Sequence, residues 1–242
     1  MPLNDQRIVI IGGTSGIGYA AAQGALAEGA EVIVGSSQGT NVEAATRRLG
    51  NRASGHAVDV TAEDAVAAFF AKVGPFDHLV YTAGDWGPMR TPRSLAETDL
   101  AQAADLYAVR YWGALAAIKH GAPLIRERGS IVLTNGMIAH RPRRGTPIST
   151  AMAGGIEHLT RGLAVDLAPI RVNAVCPGAI RTDVWNSIPA DAREARFSEM
   201  TRRQPLARIG EPAECAEAYL YLLKAGYTTG QVLHVDGGGS VV

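Results

Sequence analysis

Cysteine is scarce in this chain: Cys176 and Cys215 are the two among 242 residues, and they lie far apart without the spacing of a metal motif. A thiol packs well as a small hydrophobe, so both are expected in the core and no metal site is expected. An excess of either charge is also lacking, with 23 basic and 23 acidic residues. Apart from the short run Arg141, Arg143, Arg144 the basic residues are scattered. The electrostatic footprint of a nucleic-acid binder is therefore missing. No apolar run reaches the ~20 residues that a membrane-spanning helix needs. The N-terminal MPLNDQRIVIIGG enters a strand pattern directly, without the basic and apolar regions of a signal segment. A cytoplasmic protein without nucleic-acid or membrane partners is expected.

Nearly half of the chain, 47%, is hydrophobic, enough to bury one large core, and a single domain over 1–242 is expected. Short apolar runs (RIVIIGG, EVIVGSS, DHLVYTAG) alternate with alanine-rich segments such as GIGYAAAQGALAEG and AEDAVAAFFAKVG. Runs of Val and Ile without polar alternation suit parallel strands covered on both faces by helices. Gly29, Gly50 and Gly74 stand where helices end and a left-handed cap is wanted. The series reads as βαβ units and hence an α/β fold, a doubly wound parallel sheet between two helical layers. The segment from Arg181 to Pro205 has the least regularity, and beyond a strand end it is expected to form a lid over a ligand.

GGTSGIG, Gly12 to Gly18, comes after the first strand and opens the first helix. Glycines there let the backbone turn tightly and approach a pyrophosphate, while the helix N-terminus offers unpaired N–H groups and a positive dipole. The spacing Gly12-x-x-x-Gly16-x-Gly18 resembles the short-chain dehydrogenase/reductase family, and further landmarks occur in that family's order. Asp59-Val60 resembles the adenine-contacting pair after strand three, and Tyr81 to Gly84 resembles the NNAG element after strand four. Arg171 to Asp183 resembles the run whose Pro177-Gly178-x-Ile180-x-Thr182 segment holds the nicotinamide carboxamide. TTGQVLHVDGGG resembles the closing strand, which in the family contributes to a tetramer interface.

The resemblance implies a Rossmann-type three-layer fold, a homo-oligomer (dimer or tetramer) and a nicotinamide cofactor. It also implies cofactor contacts from Gly12, Thr14, Ser15, Gly16, Ile17 and Gly18, and from Ser36, Ser37, Asp59, Val60, Ala83 and Gly84. Pro177, Gly178, Ile180 and Thr182 complete the expected set. Strand two ends in VIVGSS, where Gly35 removes the acid that binds ribose hydroxyls and repels a 2′-phosphate. With hydroxyls at Ser15, Ser36 and Ser37, NADP(H) is favoured over NAD(H).

The family's chemistry is absent from its usual places. A tyrosine there handles the substrate proton, a lysine four residues on lowers its pKa, a serine binds the carbonyl, and an asparagine supports a proton relay. Here Ser149 stands for the tyrosine, Ala153 for the lysine, Gly136 for the serine and Arg110 for the asparagine. A serine hydroxyl is far too weak an acid to inherit the role of a tuned tyrosine.

Three readings compete: an oxidoreductase whose proton comes from elsewhere, a cofactor-binding protein without turnover, or non-redox chemistry on the same fold. His140 is a candidate donor whose alternative is a solvated loop residue. Tyr107 and Arg110, three apart, share one helix face and either could reach the pocket. Tyr107, Tyr111 and Trp112 otherwise read as core aromatics.

Overall fold

A computed structural model describes residues 2–84 and 94–242. Seven parallel strands form one sheet in the order β3-β2-β1-β4-β5-β6-β7. The strands are β1 (Arg7–Ile11), β2 (Glu31–Ser36), β3 (Ala53–Ala57), β4 (Phe76–Tyr81), β5 (Ile125–Thr134), β6 (Arg171–Pro177) and β7 (Val232–Val235). The helices are α1 (Gly16–Ala27), α2 (Gly39–Leu49), α3 (Glu63–Val73), α4 (Leu100–Tyr107), α5 (Gly113–Gly121), α6 (Pro147–Asp166), α7 (Ala190–Thr201) and α8 (Pro212–Lys224). No helix among the described residues is long and apolar enough to cross a membrane.

The alternation of side chains along each strand builds two cores. Val9 and Ile11 of β1 join Val66, Phe69 and Ile118 on one face. Ile8 and Ile10 join Ala21, Ala25 and Leu222 on the other. Each fully buried Val or Ile contributes roughly 1.5–3 kcal/mol, which is why the central strands carry no polar alternation. Both cysteines are buried free thiols. Arg171, at the start of β6, turns its guanidinium onto the carbonyls of Leu222, Leu223 and Ala225, so that the unpaired end of α8 is satisfied by a buried cation.

Strand order reverses between β1 and β4, so the loops leaving these two strands diverge and leave a crevice at the carboxyl edge of the sheet. One local departure from α geometry bears on that crevice. Between α4 and α5, Ala108–Trp112 forms a π-helical turn. Such a turn admits an extra residue and rotates the helix after it relative to the helix before it. The Tyr81 hydroxyl donates to the Val109 carbonyl in this turn at 2.5 Å. Trp112 is 62% exposed rather than a core aromatic, while Tyr107 and Tyr111 pack on the core with their rings 5.9 Å apart.

Candidate functional site

A cleft of about 870 Å³ opens at the strand-order reversal. Its floor at one end is the turn from β1 into α1. Gly12 has φ +90° and a Cβ there would lie 2.5 Å from the Ala83 amide nitrogen. Gly16 has φ +52°, and a Cβ on Gly18 would strike the carbonyl oxygen of Gly12. Gly12 and Gly18 exclude any side chain, and at Gly16 one would be strained. The first turn of α1 carries no acidic residue, and its N-cap Ser15 makes no capping hydrogen bond from its side chain. Its N–H groups and positive dipole therefore face the cleft without an internal anion to neutralise them.

Thr14, Ser15 and Ile17 line the same turn. Ser36, Ser37, Asp59 and Val60 line one arm of the cleft, and Ala83 and Gly84 its middle. Pro177, Gly178, Ile180 and Thr182 line the other arm, with the Thr182 methyl 3.1 Å from where a Cβ on Gly16 would sit. Every residue expected to touch a cofactor thus lies on one surface. Hydrogen bonds from the Thr61 hydroxyl and amide hold the Asp59 carboxyl below the usual carboxylate range. The expectation at the end of β2 is corrected by one residue. Gly35 points away from the cleft, since a Cβ on it would meet Ile11 Cδ1 at 2.7 Å and Val58 Cγ1 at 3.0 Å. The acid-free position that faces the cleft is Ser36.

At the reacting end, Arg110, Gly136 and Ser149 line the cleft. Ala153 is 2% exposed and lies off its surface, as does Tyr107. The π-helical turn breaks the three-residue phase that would have brought Tyr107 beside Arg110. Thr134 links the two tyrosines nearest this end, donating to the Tyr81 carbonyl at 2.7 Å and pairing with the Tyr219 hydroxyl at 2.7 Å. Burial pushes both phenols above their ordinary pKa, with the Arg110 charge opposing. Neither lines the cleft, and among the described lining residues there is no Tyr, Lys, His or Cys. Among the described residues the cleft therefore holds a strong cation but no group of near-neutral pKa.

His140 is exposed to solvent, as its loop position suggests, but it is also held in a polar contact. Its Nε2 lies 2.5 Å from Oε1 of the buried Glu157 and 3.0 Å from His234 Nε2, off the cleft surface.

Some lining residues carry no motif in the sequence. Arg141, Arg143 and Arg196 stand around the outer cleft among Met137, Ile138 and Met200. The segment from Arg181 onward folds onto itself. Trp185 donates from Nε1 to the Ile180 carbonyl at 2.8 Å and meets the Phe197 ring edge-on at 5.3 Å. Arg181 pairs with Glu194 at 2.7 Å. Val184, Trp185, Ile188 and Met200 thereby present an apolar wall to the cleft.

Comparison with known proteins agrees with this geometry. A family model described as Enoyl-(Acyl carrier protein) reductase matches residues 12–240. The cis-4-hydroxycyclohexanecarboxylate dehydrogenase of Sinomonas cyclohexanicum is 35% identical over 97% of this chain and 96% of its own length. The MalC reductase/Diels-Alderase of Malbranchea aurantiaca superimposes with a TM-score of 0.91 at 30% identity, covering 99% of this chain and 98% of that one. A small-chain dehydrogenase in complex with NADPH superimposes with a TM-score of 0.84 at 32% identity, covering 99% of this chain and 100% of that one.

Proposed function

The chain belongs to the short-chain dehydrogenase/reductase family of oxidoreductases, and we propose that it is an NADP(H)-dependent reductase in which Arg110 takes over stabilisation of the substrate oxygen. The observation that carries this reading is that Arg110 and the glycine cradle of α1 line one cleft. The cradle fits a dinucleotide: Gly12, Gly16 and Gly18 admit the close approach of a pyrophosphate, and Ser36 and Ser37 offer neutral donors where a 2′-phosphate would lie. The similarity to a protein that binds NADPH supports the same preference. When bound, the cofactor supplies a hydride.

The protein's own contribution at the reacting end is electrostatic. A guanidinium stays charged at any working pH and gives up no proton, so Arg110 stabilises negative charge developing on oxygen without acting as an acid. The substrate class that suits this is a carbonyl or a conjugated enone whose oxygen becomes anionic and takes its proton from water. Arg141, Arg143 and Arg196, set among Met137, Ile138 and Met200, favour an apolar body bearing a negative group. The segment 181–205 is the lid that excludes water, and the exposed Trp112, Leu100 and Val165 favour assembly of copies into a dimer or tetramer in the cytoplasm.

Calorimetric titration with NADPH and NADH tests the reading, followed by nicotinamide absorbance on a panel of aldehydes and enones with and without a carboxylate. Micromolar NADPH binding, about −8 kcal/mol, tighter than NADH, with turnover of at least one acceptor, is expected. Failure of both nucleotides to bind overturns it. Tight binding without turnover across the panel converts the protein into a cofactor-binding partner.

A further inference from the structure

We propose that His140, Glu157, Cys176 and His234 form a binding site for a zinc ion. One ligand atom from each residue lies within 4.8 Å of all the others. They come from four separate elements. His140 ends the short 3-10 turn Met137–Ala139 after β5, and Glu157 lies on α6. Cys176 of β6 and His234 of β7 are neighbours in the strand ladder. Parallel pairing puts in-register side chains on the same sheet face, here the face that α6 covers. The four are brought together by backbone register and not by sequence spacing.

Hydrogen-bond accounting says that the cluster is built for a cation. His140 Nε2 faces two groups, Glu157 Oε1 at 2.5 Å and His234 Nε2 at 3.0 Å. It carries at most one proton. Donated to Glu157, that proton leaves His234 Nε2 only a shared, bifurcated contact. Withheld, it leaves an imidazole lone pair against a carboxylate. The same Glu157 oxygen also accepts from Asn135 Nδ2 at 2.6 Å. Asn135 is 3% exposed, and its Oδ1 has no hydrogen-bond partner among the described residues. A buried amide kept for one carboxylate contact is the arrangement by which outer groups orient a metal ligand.

The donor set selects the ion. Two imidazoles, a thiolate and a carboxylate suit zinc, whereas magnesium and calcium demand oxygen ligands. In a tetrahedral zinc site with bonds of ~2.0–2.3 Å, ligand atoms lie ~3.3–3.6 Å apart. The observed distances bracket that range, so side-chain rotations of both histidines close the site. His140 and His234 reach solvent while Glu157 and Cys176 are buried, which gives the ion an entry path and a dry seat. Four protein ligands leave no open position, so the role is structural. The ion would clamp β6, β7, α6 and the turn after β5 beside Asn135 and Pro177, both of which line the cleft. The site does not depend on the proposed cofactor.

The test uses the full chain stripped with a chelator and titrated with zinc chloride against a competing chelator. One equivalent is expected to bind, with a rise in Tm of about 5–10 °C at a hundredfold excess over Kd. Cobalt(II) in the same site should give the visible absorption of tetrahedral coordination and a thiolate charge-transfer band, and Cys176→Ser should lose the band. His140→Gln and His234→Gln change exposed side chains and leave the fold intact. Each should weaken zinc by about a hundredfold or more, and Asn135→Ala by about 10- to 100-fold. Absence of stoichiometric binding, or affinity unchanged in the double His140→Gln, His234→Gln variant, overturns the proposal. A wild-type cobalt spectrum without the thiolate band removes Cys176 from the site.

Discussion

The guanidinium of Arg110 lies across Gly84: a Cβ on that glycine would stand 2.5 Å from Arg110 Nε and 2.6 Å from its Cζ. The backbone after β4 is thus bare where the cation crosses it. Replacing Arg110 with Met is expected to lower kcat by about 10²- to 10³-fold with a much smaller change in KM, the pattern of a group that acts on developing charge. Gly84→Ala displaces the same guanidinium and should reproduce most of the loss. Steady-state kinetics of the two variants side by side check this, and full activity in either removes Arg110 from the chemistry.

Ser36 is the position on β2 that faces the cleft. An aspartate there would repel a 2′-phosphate and bind ribose hydroxyls. Ser36→Asp is expected to weaken NADPH by tenfold or more, about 1.4 kcal/mol, while strengthening NADH. Parallel titrations decide it, and equal losses for both nucleotides would count against this seat for the phosphate.

Gly16 holds φ +52° with Thr182 closing over it. A β-branched residue is strained at that dihedral by roughly 1–2 kcal/mol and fills the approach of a pyrophosphate. Gly16→Val should remain folded by circular dichroism, melt a few degrees lower and bind neither nucleotide. Retained affinity would show that the cradle is not the phosphate seat.

His78 makes a prediction about stability. It is buried, with its pKa lowered to about 4 from the ordinary 6.5 by desolvation first and by the Arg171 charge second. Its Nε2 pairs with Gln6 Oε1 at 2.7 Å and its Nδ1 with Ser130 Oγ at 2.8 Å, contacts that the neutral ring makes without a buried charge. Between pH 6.5 and 4 the unfolded chain takes up a proton that the folded chain refuses. Stability should therefore fall as pH drops through that window, by about 3 kcal/mol in all, and level off below it. His78→Gln should flatten this part of the urea-denaturation profile. An unchanged slope would assign the loss to other groups.

The βαβ order is legible in the sequence because its signal is repetitive: runs such as RIVII and DHLVY carry no polar alternation when both faces are buried. The glycine cradle is legible because the turn from Ile11 to Gly16 admits few residue types. Other features leave no such trace. Gly35 and Ser36 exchange roles because strand alternation, not proximity to the strand end, decides which side chain faces the cleft. Trp112 departs from its reading as a core aromatic whereas Tyr107 keeps it, and nothing in AVRYW announces the π-turn. The set His140, Glu157, Cys176 and His234 spans some ninety residues, and only the pairing of Cys176 with His234 in the ladder reveals it. Of the outer-cleft arginines, Arg141 and Arg143 sit on an irregular segment that has no period to read, and Arg196 lies on α7.

The π-turn at Ala108–Trp112 makes chain length, and not chemistry alone, a determinant of this site. The surplus residue sets the phase of α5 against α4, while Arg110 and Trp112, two residues apart, face opposite sides of the rod. Deleting a single residue ahead of Arg110 would let the α4–α5 rod rewind as an uninterrupted α-helix and turn its two halves by about 100° against each other. The guanidinium would then leave its place over Gly84, and the reacting end of the cleft would lose its cation.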